Sequence, residues 1–259
     1  MSNFTMPVSL YMSAPIHAIV SGDTLQSAYR HLREFAVSSL AVLDDKGLLS
    51  GVISRTDLLR VGRYQAGSRR DAGLLTLPDR AVDDLMTRDV LTVAPNDGVD
   101  VACQAMIRRG VHRVFVTNKG VVEGVFSTRE VMQAIADKRL NTPIGDCMSK
   151  PLFTIRAQEP ISLATERLEK ARITGLVVVE DDWPVGVFTQ VEALASRDMP
   201  RQTAVEVAMN AAIICMPIDT RMFRAAQQAL AMRVRRIIVS KKRDMEGIVT
   251  GIDFARATL

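Results

Sequence analysis

Short apolar runs alternate with longer apolar patterns of helical period along this chain, most clearly between residues 90 and 138. Residues 90–93 and 113–116 are apolar runs of the kind that forms strands. Between them, apolar residues recur from Val99 at i+3, i+4, i+7 and i+8, which predicts one face of a helix. The stretch completes the order β-α-β-β-α with a turn at 118–120, a strand at 121–126 and a helix from 127 to about 138.

The same order occurs four times in nearly constant register, which identifies an internal repeat. Each copy contains a methionine that lies thirteen residues before the first apolar residue of a predicted helix: Met12, Met86, Met148 and Met209. A glycine follows each methionine by 38 or 39 residues and opens a related heptad: GVISRTD (51–57), GVFSTRE (124–130), GVFTQVE (186–192) and GIVTGID (247–253). A unit of about 60 residues buries its sheet and helices poorly on its own, so we expect neighbouring units to pair.

This repetition predicts an α/β (α+β) fold of four β-α-β-β-α units arranged as two intrachain pairs. The predicted units span residues 1–65, 80–139, 140–200 and 201–259. Residues 66–79 are the predicted linker, because glycine, serine, proline and arginine interrupt the pattern there. The junction between the second and third units is much shorter, so we expect the chain to divide near residue 139.

Composition narrows the class of protein. With 47% apolar and 24% charged residues, the 259-residue chain is globular and not disordered. Its longest apolar run, 211–218, is far shorter than the ~20 residues of a membrane-spanning helix, and no Lys or Arg precedes Arg30 to start a secretory signal. The cysteines form no CxxC motif and are interpreted as small buried hydrophobic residues: Cys103, Cys147 and Cys215. We therefore expect a soluble, cytoplasmic protein without membrane association.

No motif indicates an enzyme. The chain contains no Walker A, GxGxxG, GxSxG or HExxH sequence, and its three histidines match no spacing of metal ligands. We therefore expect no catalysis, no metal and no required cofactor. The net charge of +4 and the basic stretch 233–243 suggest nucleic acid, but none of the twelve aromatic residues lies in that stretch, which disfavours base stacking. Nucleic acid is therefore not the expected partner.

The repeated segments resemble the cystathionine-β-synthase (CBS) domain family over nearly the whole chain. The second unit carries the family's pattern as VDDLM (82–86), TVAP (92–95) and HRVFV (112–116), followed by its heptad. The resemblance implies two CBS pairs, or Bateman modules, in a compact disk-like body similar to the γ subunit of the AMP-activated kinase. It also implies a regulatory protein that senses an adenosyl compound such as AMP, ADP, ATP or S-adenosylmethionine in clefts between paired motifs. Its signal would go to an unidentified protein partner. Whether one chain completes the disk or two chains form a homodimer stays open, and the apolar outer helices favour the dimer.

The heptads and the strands that precede them supply the candidate ligand-binding residues. We expect the glycine to let the strand approach a ligand, and the Ser or Thr to face phosphate where strand meets helix. The terminal acid would accept hydrogen bonds from ribose hydroxyls, basic strand residues would attract phosphate, and the family's adenine contacts correspond to the first strand. The candidates are Thr250, Asp253, Arg235, Arg236 and Ile214 in the fourth unit; His112, Arg113, Ser127, Arg129, Glu130 and Leu91 in the second; and Ser54, Thr56 and Asp57 in the first. The fourth unit is the best single site, because it alone combines a basic pair with Thr250 and Asp253.

The same heptad residues have a purely structural alternative. Ser/Thr-x-x-Asp/Glu at a strand–helix junction is also a capping box, which stabilises a helix without any ligand. Glu130 and Glu192 fit a capping box better than a ribose contact. The first and third units carry Ser38-Ser39 and Thr174-Gly175 where the other two carry basic pairs. A structural or interaction module with empty clefts therefore stays open as a second hypothesis.

Overall fold

The computed structural model describes residues 4–61, 77–171, 173–196 and 199–259. The predicted linker, residues 66–79, lies outside the described residues except for its last three positions. The chain divides into two compact units, Met1–Ala134 with Thr258–Leu259, and Ile135–Ala257. Each unit holds two copies of the repeat, which we number motifs 1 to 4 in chain order.

All four motifs have the same order of strand, helix, strand, strand and helix. Motif 1 contains β1 (Ala18–Val20), α1 (Leu25–Glu34), β2 (Ser39–Leu43), β3 (Leu49–Ser54) and α2 (Arg55–Val61). Motif 2 contains β4 (Thr92–Val93), α3 (Val99–Arg109), β5 (Arg113–Asn118), β6 (Val121–Ser127) and α4 (Thr128–Lys138). Motif 3 contains β7 (Thr154–Arg156), α5 (Ile161–Lys170), β8 (Gly175–Glu180), β9 (Trp183–Thr189) and α6 (Gln190–Ala195). Motif 4 contains β10 (Cys215–Pro217), α7 (Met222–Met232), β11 (Arg236–Lys241), β12 (Asp244–Thr250) and α8 (Gly251–Arg256).

Each motif forms its own three-stranded sheet, in which the first strand pairs with the second in parallel and the second with the third in antiparallel. The crossover from first to second strand is the helix between them, as a parallel pair requires. The predicted fold class, β-α-β-β-α units in pairs, is confirmed.

The helices follow the predicted apolar faces. In α3 the residues Val99, Ala102, Cys103 and Met106 are buried, and the helix ends at Gly110 in the left-handed conformation. Burial raises the pKa of the Cys103 thiol to about 12, whereas the other two cysteines are only partly buried. The expectation that all three are buried is therefore wrong for Cys147 and Cys215. No helix within the described ranges is long and apolar enough to cross a membrane.

The paired motifs of a unit exchange their N-terminal segments. Each segment forms one turn of 3-10 helix whose first residue is fully buried: Val8, Val82, Ile144 and Val205. The backbone N–H of that residue donates to a carbonyl of the other motif, from Val8 to Asp97 at 2.8 Å and, reciprocally, from Val82 to Asp23 at 2.8 Å. The second unit repeats this pattern, so each segment completes the partner's core and not its own.

The methionine that recurs in each segment fills the space over the heptad glycine of the partner motif. A Cβ added to Gly124 would lie 2.6 Å from Met12 Sδ, and a Cβ on Gly51 would lie 2.8 Å from Met86 Cγ. The second unit has the same arrangement, with Met209 over Gly186 and Met148 over Gly247. The heptad glycine thus makes room for a methionine on the side where a Cβ would lie. Close approach of a ligand to the strand at this glycine stays a prediction.

We predict that adding a methyl group at the heptad glycine of motif 1 destabilises the protein mainly when the methionine is present. Gly51→Ala should lower the free energy of unfolding by about 1–3 kcal/mol, because the new methyl group collides with Met86. In a Met86→Ala background the same change should cost under about 1 kcal/mol, since the three atoms nearest to the new Cβ all belong to the Met86 side chain. Urea unfolding of the double-mutant cycle measures both values.

Gly247→Ala supplies the matched control. Its Cβ would lie 2.8 Å from the backbone oxygen of Ser149 as well as 2.9 Å from Met148 Sδ. Removing the methionine therefore should not remove the cost at Gly247. An equal cost of Gly51→Ala in both backgrounds would contradict the proposed contact.

Candidate functional site

All four heptads end at a strand–helix junction, as the sequence predicts. The helix begins directly after Ser54, Ser127, Thr189 and Thr250. In each case one carboxylate oxygen of the heptad acid accepts hydrogen bonds from the backbone N–H and the hydroxyl of that Ser or Thr. For Asp57 the two distances are 2.9 and 2.5 Å, and for Asp253 they are 2.7 and 2.6 Å. The capping role therefore exists in every motif, and the second carboxylate oxygen distinguishes the motifs.

In motifs 2 and 4 the chain itself occupies the second oxygen. Ser13 Oγ donates to Glu130 Oε1 at 2.9 Å. Ser149 Oγ donates to Asp253 Oδ1 at 2.6 Å, and Arg256 Nη1 donates to the same oxygen at 2.7 Å. Glu130 is 7% exposed and Asp253 is 1% exposed. Both serines directly follow the exchanged methionines, so the exchange places a hydroxyl group on each of these acids.

In motifs 1 and 3 the second oxygen has no such partner. The residues that follow the exchanged methionines there are Thr87 and Asn210, which pair with β3 and β9 through their backbones. The amide oxygen of Asn210 instead accepts the N–H of Ala212 at 2.9 Å. Within the described residues, Asp57 and Glu192 therefore each keep one carboxylate oxygen without a hydrogen bond, and both side chains are only half-buried.

In each unit an arginine of the even-numbered motif donates hydrogen bonds to the odd-numbered motif, beside the last residue of its third strand. Arg113 donates to the hydroxyl groups of Ser38, at 2.9 Å, and Ser39. Because Ser39 pairs with Ser54 across the sheet, the guanidinium group lies beside the heptad end of motif 1. We call this set the Asp57 edge: Ser38, Ser39, Ser54, Asp57 and Arg113.

The second unit builds the corresponding Glu192 edge: Thr174, Gly175, Thr189, Glu192 and Arg236. Arg236 Nη2 donates to the carbonyl oxygen of Thr174 at 3.0 Å and to its hydroxyl at 3.3 Å. A Cβ on Gly175 would lie 3.2 Å from this guanidinium group, so glycine leaves room for it. Burial lowers the pKa of Arg236, the negative charge of Glu192 opposes this shift, and Arg235 adds to it.

The sequence analysis assigned each candidate residue to the site of its own motif, but the structure places two arginine side chains in the other motif of the unit. Arg236 pairs with Thr250 through its backbone, but its guanidinium group lies in motif 3. The same holds for Arg113, whose backbone pairs with Ser127. Ser38, Ser39, Thr174 and Glu192 were absent from the predicted set. For Ser38, Ser39 and Thr174 the signal was the small or polar pair in motifs 1 and 3, which gives the arginine of the other motif space and hydrogen-bond acceptors.

The remaining predicted residues lie around these edges. His112, Arg129 and Arg235 are exposed, and Thr56 is half-buried in the first turn of α2. The backbone oxygens of Leu91 and Ile214 accept the N–H groups of Phe115 at 3.0 Å and Ile238 at 2.8 Å, which fixes the start of each first strand. Among the described residues, no three His, Cys, Asp or Glu side chains are grouped so that they could hold a metal ion.

Known proteins share this architecture. The protein MJ1225 from Methanocaldococcus jannaschii superposes with a TM-score of 0.77, at 17% identity, over 97% of this chain and 99% of that chain. A conserved protein from Pyrococcus horikoshii gives a TM-score of 0.71, at 18% identity, over 98% and 100%. These identities establish the fold alone.

Sequence comparison identifies the family. The protein MJ1404 from Methanocaldococcus jannaschii is 25% identical over 212 residues, which are 74% of this chain and 50% of that protein. This chain therefore spans about half the length of that relative. The model of the CBS domain matches residues 8–64, 82–137 and 144–196, together more than half of the chain. Motif 4 lies outside these matches but has the same strand and helix order. The chain belongs to the CBS domain family.

Proposed function

We propose that this protein is a regulatory module that binds an adenosyl compound at the Asp57 edge and at the Glu192 edge. One observation carries the proposal. At each edge, a carboxylate has one oxygen without a hydrogen bond, and an arginine from the other motif of the unit is bound at the same end of the sheet. The ligand class follows from the resemblance to the CBS family: AMP, ADP, ATP or S-adenosylmethionine.

The chemistry of each edge suits a nucleotide. A carboxylate oxygen that lacks a hydrogen bond can accept both hydroxyl groups of a ribose. The guanidinium group bound at the same edge of the sheet can donate two parallel hydrogen bonds to a phosphate, which is the strong form of this interaction. The adenine would lie along the first strand of the even-numbered motif, next to Leu91 in the first unit and Ile214 in the second. The ligand would then contact both motifs of a pair.

The two edges differ in their number of permanent positive charges and in the length of the acidic side chain. Motif 2 provides His112 beside Arg113, and motif 4 provides Arg235 beside Arg236. Glu192 is one methylene longer than Asp57, so its free oxygen lies farther from the backbone. We expect the Glu192 edge, with two permanent cations, to prefer the more highly charged phosphates.

Glu130 and Asp253 serve a different purpose in this proposal. Their second oxygens already accept serine hydroxyl groups, so they hold the exchanged segments in place. A ligand at either acid would have to displace Ser13 or Ser149. We therefore propose two ligands per chain and not four.

Binding at an edge would favour one arrangement of the paired motifs, and a partner that distinguishes the arrangements would detect the ligand. MJ1225 is described as a proposed archaeal homologue of the γ subunit of the AMP-activated kinase, which is consistent with such a role. The protein partner and a homodimer stay predictions. The cytoplasm, where adenine nucleotides are abundant, is the proposed location.

We predict a ligand-dependent rise in thermal stability. AMP, ADP, ATP and S-adenosylmethionine would each be added to the unmodified protein and to the Asp57→Asn/Glu192→Gln variant. A ligand at 100 times its Kd should add about 2.7 kcal/mol to the free energy of unfolding, and the double variant should lose most of this gain.

Two other acids serve as matched controls. Asp84→Asn and Glu166→Gln each remove a carboxylate from an exposed i,i+4 ion pair, with Arg80 and Lys170. These variants should retain the full shift. An undiminished shift in Asp57→Asn/Glu192→Gln, or no shift with any compound at millimolar concentration, would contradict the proposal.

We further predict different costs for the two kinds of heptad acid without ligand. Asp253→Ala should lower the free energy of unfolding by about 2–4 kcal/mol, because it removes four hydrogen bonds from a buried site. Asp57→Ala should lower it by about 0.5–2 kcal/mol, the usual cost of a lost cap. Urea unfolding measures both. Equal losses of stability would contradict the distinction between Asp253, whose two carboxylate oxygens both accept hydrogen bonds, and Asp57, of which only one does.

A further inference from the structure

Two arginines contact one phenylalanine in the second unit, and a third arginine lies two residues before it in the sequence. Arg139 Cζ lies 5.2 Å from the ring centre of Phe223, and Arg224 Cζ lies 5.7 Å from it. Arg221 precedes α7, and its Nη1 donates to the carbonyl oxygen of Asn141, two residues after Arg139, at 3.0 Å. All three arginines are exposed, and Phe223 is half-buried. We call this set the arginine patch: Arg139, Arg221, Phe223 and Arg224.

Within the described residues, none of the three arginines of the patch forms an ion pair, since the ion pairs found there involve other arginines and lysines. Cation–π contacts with Phe223 hold two guanidinium groups in place but leave their N–H groups available. The helix terminus itself is not the binding group, since the N–H groups of Met222 and Phe223 already donate to Thr142 at 2.8 Å and Leu140 at 3.1 Å.

The other motifs show that the fold does not require this patch. The backbone contact at the start of α7 recurs in all four motifs, from Leu25 to Arg80, Val99 to Met6, Ile161 to Thr203 and Met222 to Thr142. The positions that correspond to Arg221, Phe223 and Arg224 are occupied by Thr24, Gln26 and Ser27 in motif 1, Gly98, Asp100 and Val101 in motif 2, and Pro160, Ser162 and Leu163 in motif 3. The position that corresponds to Arg139 is occupied by Leu77 before motif 2 and by Pro200 before motif 4. The same backbone thus forms without any of these arginines.

We propose that the arginine patch is a docking surface for an acidic segment of a partner protein. Guanidinium groups bind carboxylates through paired hydrogen bonds, and Phe223 offers an apolar contact between them. Nucleic acid fits less well, because its binding uses a long series of phosphate contacts, whereas this patch covers only the start of one helix and the loop beside it. The proposal is independent of ligand binding at the Asp57 and Glu192 edges.

The experiment compares two variants with the same loss of charge. One is Arg139→Gln/Arg221→Gln/Arg224→Gln in the arginine patch. The other is Lys241→Gln/Lys242→Gln/Arg243→Gln, which removes three exposed cations from the hairpin between β11 and β12. The probe is a fluorescently labelled hexaglutamate peptide at low salt, and binding is followed by anisotropy. Thermal unfolding of both variants establishes that they fold.

The proposal predicts that the patch variant binds the peptide about tenfold more weakly or worse, since each exposed ion pair contributes two- to fivefold. The hairpin variant should bind within about twofold of the unmodified protein. Phe223→Leu, which keeps an apolar side chain but removes the aromatic face, should weaken binding about two- to threefold. Equal losses in both triple variants, or no peptide binding, would overturn the proposal. Tighter binding of a single-stranded oligonucleotide of the same charge would also overturn it, in favour of nucleic acid.

Discussion

The contact between an exchanged methionine and a heptad glycine is the constraint on which each unit depends. Met12 and Met86 each lie over a glycine of the partner motif, and Met148 and Met209 do the same in the second unit. Val82 and Met86 belong to the same buried cluster as Leu25, Leu40 and Ile53 of motif 1. A motif without its partner would therefore have an incomplete core, which makes the pair, and not the single motif, the cooperative unit.

The exchange also determines which acids are open. The residue after each methionine pairs with the last strand of the partner, beside that motif's heptad acid. Where it is Ser13 or Ser149, its hydroxyl group occupies the acid. Where it is Thr87 or Asn210, the acid keeps a free oxygen, and an arginine of the other motif is hydrogen-bonded at the same end of the sheet. One position in the repeat thus separates the two fully hydrogen-bonded acids from the two at which we propose ligand binding.

The sequence predicted local features well and contacts between motifs poorly. The period from Val99 matches helix α3, and the β-α-β-β-α order is present in all four motifs, because both depend on neighbours along the chain. The target of Arg236 could not be predicted, since its backbone pairs with Thr250 while its side chain contacts Thr174. The signal for this contact was a difference between repeats. Motif 3 has a glycine, Gly175, where motif 4 has Arg236, and the glycine leaves room for the arginine side chain.

The central claim is that each pair has one open edge. Isothermal titration calorimetry tests it most directly, with the adenosyl compound that stabilises the protein most strongly. The account predicts two equivalents bound per chain, and one equivalent for Asp57→Asn, because that variant removes the ribose acceptor of the first unit alone. Four equivalents bound to the unmodified chain, or two to the Asp57→Asn variant at unchanged affinity, would contradict it.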